Sequence, residues 1–456
     1  MAYEGLMVSV SGVRGRVGEG LTPEVVAKFA AGFGAWASKG TNGASIVVGR
    51  DSRVSGPMFH RVVLSALQSV GCNIIDVGMA PTPTIQLAVE HHHAAGGLAI
   101  TASHNPIEWN ALKFIGPSGL FLDANESAAM RAVVEGEIPR ATWDKLGDFI
   151  PDPQAIERHQ KMIFALPFLD VDGIRRRGFH VALDCVRGAG GAFMPFFLEQ
   201  LGCRVSSINL ETDGRFPRSP EPVPENLHEL EALVNSSGAD IGFAVDPDVD
   251  RLALVSDEGR AIGEDYTLAL VAKVVLRYRE GPVVTNLSTS RIVEDIAREQ
   301  NRKVIRAPVG EVNVATRMRA ENAAIGGEGN GGVILTDLHL GRDAPVGAAL
   351  ILQLLHEESA SLSAIVARYP RYSIVKDKLD RPAAPLDSVY ESLKKAFPDA
   401  QVDSQDGLRL SWSDRWVHIR PSGTEPIVRV IAEAPSEAEA RELISKSRAP
   451  LDSLAG

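Results

Sequence analysis

The chain has 456 residues and carries 58 Asp and Glu against 47 Lys and Arg, a formal charge of −11. That balance argues against nucleic acid or an anionic membrane as partner, while leaving small anionic ligands and local basic pockets open. The length exceeds the roughly 250–300 residues at which a single core stops growing, so three or four domains are expected; 45% hydrophobic and 23% charged residues fit a globular fold. No apolar run reaches the ~20 residues of a membrane span. The start, Met1-Ala2-Tyr3-Glu4-Gly5, has no cationic and apolar leader, and Cys72, Cys185 and Cys203 lack metal-ligand spacing. We expect a cytoplasmic protein with reduced core cysteines.

Along the chain, a strand over Ser45–Asp51 leads to a helix pattern over Phe59–Val70. A second helix pattern from Ile85 ends in His91-His92-His93, where histidine suits a C-terminus better than a metal. The apolar run Ala94–Ile100 then delivers Thr101-Ala102-Ser103-His104-Asn105-Pro106. Pro106 disfavours helix at Asn105, so Ser103 is held out at a strand end as a candidate nucleophile, the alternative being an ordinary turn. Near Pro151 a second unit begins: strand His180–Asp184, a turn over Gly188–Gly191, helix Phe193–Leu201. Glu221-Pro222-Val223-Pro224-Glu225 reads as an ordered linker. The apolar strand Ile241–Val245 runs into Asp246-Pro247-Asp248-Val249-Asp250-Arg251. Three carboxylates at i, i+2 and i+4 can converge on one hard cation such as Mg²⁺ and would repel one another without it. An acidic surface loop and a haloacid-dehalogenase-type loop are the competing readings; an EF-hand is disfavoured by the missing Gly and Glu.

A third unit starts near Ser256–Gly259, with strand Pro282–Asn286 and helix Ile292–Gln300. Its Gly326-Gly327-Glu328-Gly329-Asn330-Gly331-Gly332 loop would let backbone approach a ligand while Glu328 and Asn330 bind its hydroxyls; a plain Gly-rich hairpin is the alternative. After Pro370 the pattern changes to strands over Gly407–Trp412, Trp416–Arg420 and Val428–Glu433, with a helix from about Ser436. Between them, Arg420-Pro421-Ser422-Gly423-Thr424-Glu425-Pro426, with Arg429 beyond, can cradle a phosphate. The expected organisation is three similar mixed α/β domains (1–150, 151–255, 256–369) and a C-terminal α+β domain with an antiparallel sheet (370–456). A nucleophile, a metal tripod, a hydroxyl reader and a phosphate cradle are the parts needed to move a phosphoryl group on a sugar phosphate.

In this order along the whole chain, the four motifs resemble those of the α-D-phosphohexomutases, and the resemblance implies that the four domains are arranged around a central active-site cleft. The resemblance implies that Ser103 is a phosphoserine, and that Ser103, Asp246, Asp248 and Asp250 surround Mg²⁺. It implies further that Arg14, in Ser11-Gly12-Val13-Arg14-Gly15, and Lys113, in Asn110-Ala111-Leu112-Lys113-Phe114, match active-site positions. Arg251 would contact the phosphate in transit. His104 and Lys113 would be candidates for proton transfer, Lys113 only if its pKa is depressed. Gly310, Glu328, Asn330, Arg420, Ser422, Gly423, Thr424, Glu425 and Arg429 would bind substrate.

One departure matters: where many members have Gly-Glu-Met-Ser-Gly-His, Asn330 stands for the Ser and Gly332 for the His, so no histidine role carries over. With Pro308–Asn313 upstream and Gly341-Arg342-Asp343 downstream, the chain is most similar to the phosphoglucosamine mutase-type subgroup. The implied reaction exchanges hexose 6-phosphate and hexose 1-phosphate through a 1,6-bisphosphate that also serves as activator, with glucosamine 6-phosphate favoured over glucose or mannose phosphates. A metal-dependent sugar phosphatase and a non-catalytic sugar-phosphate sensor are the rivals. A monomer or homodimer is expected, with no nucleic-acid or membrane partner.

Overall fold

In the computed structural model, which describes residues 5–10, 12–381, 385–422 and 427–455, four sheets follow one another along the chain. The first has seven strands in the order Leu6–Ser9, Gly12–Arg16, Trp109–Ile115, Gly96–Ile100, Ser45–Arg50, Asn73–Met79, Phe149–Pro151. Its last four run parallel, and the first three are added antiparallel. Every residue of Gly96–Ile100 is buried, as a strand covered on both faces requires. The Gly96-Gly97 pair is what permits that cover. A Cβ at Gly96 would crowd Phe33 of the helix Pro23–Ser38, and one at Gly97 would crowd Val89 of the helix Thr82–His91.

The second sheet orders Leu252–Val255, Ile241–Val245, His180–Asp184 and Arg204–Ile208. The third orders Val304–Ala307, Val283–Asn286, Ile325–Glu328, Gly332–Leu335 and His339–Arg342. Both mix parallel and antiparallel pairs. The fourth is antiparallel throughout: Ser373–Asp380, Ile427–Ala434, Trp416–Pro421, Leu408–Ser411, Gln401–Asp403. This is the expected fold class, three mixed α/β sheets followed by an antiparallel one. In each of the first three units a site-bearing loop leaves the carboxyl end of an inner strand, where open α/β sheets collect their ligands.

Two features differ from the sequence reading. The second and third sheets do not have separate cores: one apolar cluster runs from Ile163 to Tyr369. The helices Asp265–Tyr278 and Ala344–Glu358 are buried almost all round and fill the space between the two sheets, the behaviour of helices without a polar face. The fourth sheet also begins earlier, at Ser373–Asp380, and includes Gln401–Asp403. Both strands lie at sheet edges and carry charge, which masks the apolar alternation.

Buried polar ties lock the units together. His159 donates from Nε2 to Asp343 Oδ2 at 2.8 Å, and its Nδ1 meets Thr84 Oγ1 at 2.8 Å; His339 Nε2 reaches the same Asp343 oxygen at 3.1 Å. Thr84 belongs to the first unit and Asp343 to the third. His92, at the end of the helix that the His91–His93 run closes, pairs with Asp152 at 2.8 Å. Among the described residues no helix is long and apolar enough to cross a membrane.

Candidate active site

Ser103 adopts a left-handed backbone conformation (φ 47°), unfavourable for a non-glycine residue by about 1–2 kcal/mol. A buried arginine holds it there. Arg53, fully enclosed, donates to the carbonyls of Ser103 (2.6 Å), Asn105 (2.7 Å), Pro106 (2.8 Å) and Trp109 (2.8 Å). Asp51 fixes Arg53 at 3.1 Å and accepts from Thr101 Oγ1 at 2.7 Å, and Thr101 Oγ1 in turn accepts from Ser103 N at 3.0 Å. Asp51 and Arg53, just beyond the strand Ser45–Arg50, therefore shape the serine loop itself. Ser103 Oγ emerges to donate to Asp246 Oδ2 at 2.9 Å, across the boundary between the first and second units.

The acidic loop is shaped the same way. Val249 has φ 62°, a strained value for a β-branched side chain, and its burial in the shared core over-determines it. Asp246 Oδ1 accepts from the amides of Asp250 (3.1 Å) and Arg251 (3.2 Å), curling the loop back. Ligand atoms of Asp246, Asp248 and Asp250 then lie within 4.8 Å of one another, all buried; among the described residues no other cluster of this kind occurs.

Asp248 and Asp250 are each held through one oxygen. Asp248 Oδ2 accepts from Lys113 Nζ and Thr82 Oγ1, both at 2.8 Å, and Asp250 Oδ2 accepts from Arg342 Nη2 at 2.5 Å. Asp248 Oδ1 and Asp250 Oδ1 are buried without a hydrogen-bond partner. Two orphaned carboxylate oxygens facing a third carboxylate and a hydroxyl are a donor set that fits a hard divalent cation such as Mg²⁺. Burial, then Asp250 and Asp248, push the Asp246 pKa well above the usual carboxylate range. Burial also raises that of Asp248, but Lys113 outweighs it and holds the group low.

Lys113 is buried beside the acidic loop. Burial lowers its pKa, yet Asp248 at 2.8 Å and Asp250 at 3.9 Å more than reverse this, so with both carboxylates free of metal the net shift is upward. His104 presents Nδ1 to Ser103 Oγ at 3.4 Å. Burial, then Arg251 and Arg14, push its pKa well below the usual imidazole value. Arg14 donates to Asn105 Oδ1 at 3.3 Å. Arg251 Nη1 reaches Glu221 at 3.3 Å, and His104 Nε2 lies 3.9 Å from the same carboxylate oxygen. Glu221 thus faces the site, although the sequence suggests only a linker.

Glu328, at the end of its strand, is buried and accepts three hydrogen bonds: Asn286 Nδ2 (2.9 Å) and Gly310 N (3.1 Å) on Oε1, Arg342 Nη1 (2.8 Å) on Oε2. Burial raises its pKa, but Arg342 and Asn286 outweigh that and keep it ionised. A carboxylate has about four lone-pair sites, so one remains for a ligand hydroxyl. Gly310 (φ 125°) is confined to glycine by its backbone. Asn330 turns its Oδ1 onto Gly332 N at 3.2 Å, closing its own loop. Arg342 joins the sugar loop to the acidic loop by bridging Glu328, Asp250 and, at 3.1 Å, Glu311.

Behind the loop, Asp265 Oδ1 accepts from Ser290 N at 2.7 Å and occupies the place a Cβ on Gly329 would take. Burial, reinforced by Glu264, pushes the Asp265 pKa up to about 8. An acid whose pKa rises on folding from about 4 binds its proton more tightly in the folded state, so stability falls as pH climbs between the two values. Asp265→Asn keeps the acceptor and removes the proton. The variant should melt with wild type near pH 4 and increasingly above it toward pH 8, as thermal unfolding across pH would reveal.

In the fourth unit, Arg420 and Arg429 face each other across paired strands, and Ser422 N donates to Ile427 O at 2.8 Å. Gly423, Thr424 and Glu425 lie outside the described residues. Arg420 Nε donates to Asp406 Oδ2 at 2.9 Å.

Four family models match the chain in order, described as phosphoglucomutase/phosphomannomutase domains I (residues 6–140), II (157–259), III (263–372) and the C-terminal domain (375–448). The chain belongs to the phosphoglucomutase/phosphomannomutase family. It is therefore an enzyme of the phosphohexomutase class, isomerases that transfer a phosphoryl group on sugar phosphates. A "Phosphoglucomutase/phosphomannomutase" of Thermococcus kodakarensis is 40% identical over 454 residues, covering 96% of this chain and 97% of that one. A "Probable phosphoglucosamine mutase" of Methanopyrus kandleri is 37% identical over 445 residues, 96% of each. A family protein of known structure from Burkholderia thailandensis superposes with a TM-score of 0.84 at 25% identity, over 98% of this chain and 97% of that one.

Residues that sequence reading left without a role include Arg53, Thr101, Arg342, Glu311, Asn286, Thr82 and Glu221. Arg342 had a usable signal. A lone arginine followed by an N-capping aspartate, Asp343, at the entrance of an apolar helix is a buried cation that needs carboxylate partners. Thr82 had none, since it reaches Asp248 only through the packing of two units.

Proposed function

We propose that this phosphohexomutase interconverts hexose 6-phosphate and hexose 1-phosphate through phospho-Ser103 and a hexose 1,6-bisphosphate, with glucosamine 6-phosphate the favoured substrate. The observation that carries the reading is the approach of Ser103 Oγ to within 2.9 Å of Asp246, beside two orphaned oxygens of Asp248 and Asp250. A phosphoryl group on a serine beside three carboxylates would meet strong repulsion unless a cation is held between them. Bound there, Mg²⁺ would neutralise the aspartates and the charge on a transferring phosphoryl group.

The chain's own groups account for the rest. A substrate hydroxyl attacks phosphorus, the bond from phosphorus to Ser103 Oγ breaks, and Oγ must regain a proton while the attacking oxygen loses one. His104 Nδ1, 3.4 Å from Oγ, is the group placed to carry that proton, because Lys113 is committed to Asp248. Arg14 and Arg251 supply positive charge at the same end of the cleft. Glu328 keeps one acceptor site for a sugar hydroxyl, and the Arg420 and Arg429 pair with Ser422 supports binding of the phosphate not in transit. The motif that contains Gly423, Thr424 and Glu425 is the sequence support for assigning a phosphate to this unit. Return of the second phosphoryl group to Ser103 requires the bisphosphate to turn over without leaving, which a phosphate site on a separate unit allows.

The subgroup resemblance at Gly327–Gly332 and the mixed names of the relatives leave the C2 substituent to measurement. Phosphorylated enzyme with Mg²⁺ is expected to convert glucosamine 6-phosphate with a kcat/KM at least about tenfold above glucose and mannose 6-phosphates, and to release inorganic phosphate far more slowly than it isomerises. A preference for glucose or mannose phosphate would move the assignment within the family. Phosphate release at the rate of isomerisation would favour a phosphatase.

A further inference from the structure

Arg420 and the sugar loop lie on different units, yet two hydrogen-bonded arms that meet at Asp406 join them, and both end on one oxygen. In the first arm, Asp406 Oδ2 accepts from Arg420 Nε at 2.9 Å and from Val309 N at 3.1 Å. The next amide, Gly310 N, donates to Glu328 Oε1 at 3.1 Å. In the second arm, His418 Nε2 lies 2.6 Å from the carbonyl of Asp406, which can only accept, so Nε2 is the donor. His418 Nδ1 then accepts from Ser288 Oγ at 2.8 Å, a pairing that needs a neutral ring; burial pushes this histidine's pKa down to about 4. Ser288 N donates to Asn286 Oδ1 at 2.8 Å, and Asn286 Nδ2 to Glu328 Oε1 at 2.9 Å. Arg420 and His418 belong to the strand Trp416–Pro421 of the fourth unit; Val309, Gly310, Ser288 and Asn286 belong to the third.

We propose that Asp406 is a positioning residue that ties the phosphate-facing Arg420 to the sugar-facing Glu328, so that seating the distal phosphate sets the grip on the sugar. The inference rests on the mutase reading above and deepens it. Asp406 holds the Nε edge of the guanidinium, which aims the two Nη groups away from it, in the fork geometry that suits a phosphate. The same carboxylate oxygen anchors the peptide whose neighbouring N–H orients Glu328. A Cβ on Gly407 would collide with the Ile419 carbonyl, so the bend that presents Asp406 depends on glycine there. Charge-assisted bonds of this kind are stronger than neutral ones, and a shift of the fourth unit relative to the third must stretch or break them.

The test is steady-state kinetics with thermal melting on wild type, Asp406→Ala, Asp406→Asn and Ser288→Ala. Asp406→Ala is expected to raise KM for the hexose phosphate by about tenfold, with kcat at saturation within about threefold of wild type. Asp406→Asn, whose amide oxygen can still accept from Val309 N, should recover part of that loss. Ser288→Ala, cutting only the second arm, should raise KM by a smaller factor at unchanged melting temperature. A KM rise below about fivefold in Asp406→Ala, or a fall confined to kcat, overturns the proposal while leaving the mutase reading intact. If Asp406→Ala does not fold, Asp406→Asn and Ser288→Ala decide, and unchanged KM in both overturns it. If wild type itself fails to isomerise, the mutase reading falls. The linkage is then judged by calorimetric binding of glucose 1,6-bisphosphate, which Asp406→Asn must weaken for the proposal to stand.

Discussion

Ser103→Ala is expected to lower isomerisation by about four orders of magnitude or more, with or without added hexose 1,6-bisphosphate, because the group that carries the phosphoryl between half-reactions is gone. The fold should tolerate the change. Alanine has the same Cβ at the left-handed position, the four carbonyl contacts of Arg53 are to backbone only, and the loss is the hydrogen bond to Asp246 and the longer contact with His104, about 1–2 kcal/mol. Added bisphosphate cannot rescue the variant, since it would need Ser103 to take up a phosphoryl group in the next step. Measured turnover within tenfold of wild type would remove the serine from the chemistry.

Asp246→Asn is expected to act in opposite directions on activity and on the metal-free protein. The three aspartates place their ligand atoms within 4.8 Å, and Lys113 and Arg342 are committed to Asp248 and Asp250, leaving Asp246 the least compensated. Asparagine removes an acid whose ionised form burial, Asp250 and Asp248 disfavour in the folded protein, while the amide oxygen can still accept from the Asp250 and Arg251 amides. In the presence of a chelator the variant should unfold later than wild type, by about 1 kcal/mol. Mg²⁺ should raise the melting temperature of wild type and leave the variant almost unmoved. Activity should fall at least about 100-fold. Equal stabilisation of both proteins by Mg²⁺ would contradict a metal at this cluster.

Much of this arrangement is written locally and is legible in the sequence. The serine loop announces itself because a fully apolar strand ends abruptly in a polar turn closed by proline. The Asp246–Arg251 loop does so because three charges follow five buried residues. What is not local is harder. Arg53 looks like any basic residue after a strand until its carbonyl partners, 50 or more positions away, surround it. Thr82 and Lys113 meet Asp248 only when the first and second units pack. The shared core of the second and third sheets has no sequence mark, since an all-apolar helix such as Ala344–Glu358 reads the same wherever it is buried. Lys113 shows the limit from the other side. Its residue type and position suggest a proton carrier if burial depresses its pKa, and the two carboxylates within 4 Å that oppose such a depression come from another unit.

The phosphoenzyme is the centre of the account, and intact-mass spectrometry addresses it directly. Protein treated with a hexose 1,6-bisphosphate and Mg²⁺ should carry one added phosphoryl group, localised to Ser103 by fragmentation, which disappears on addition of hexose 6-phosphate as an equivalent of bisphosphate forms. No mass shift in wild type, or a phosphoryl group that persists through turnover, would contradict it.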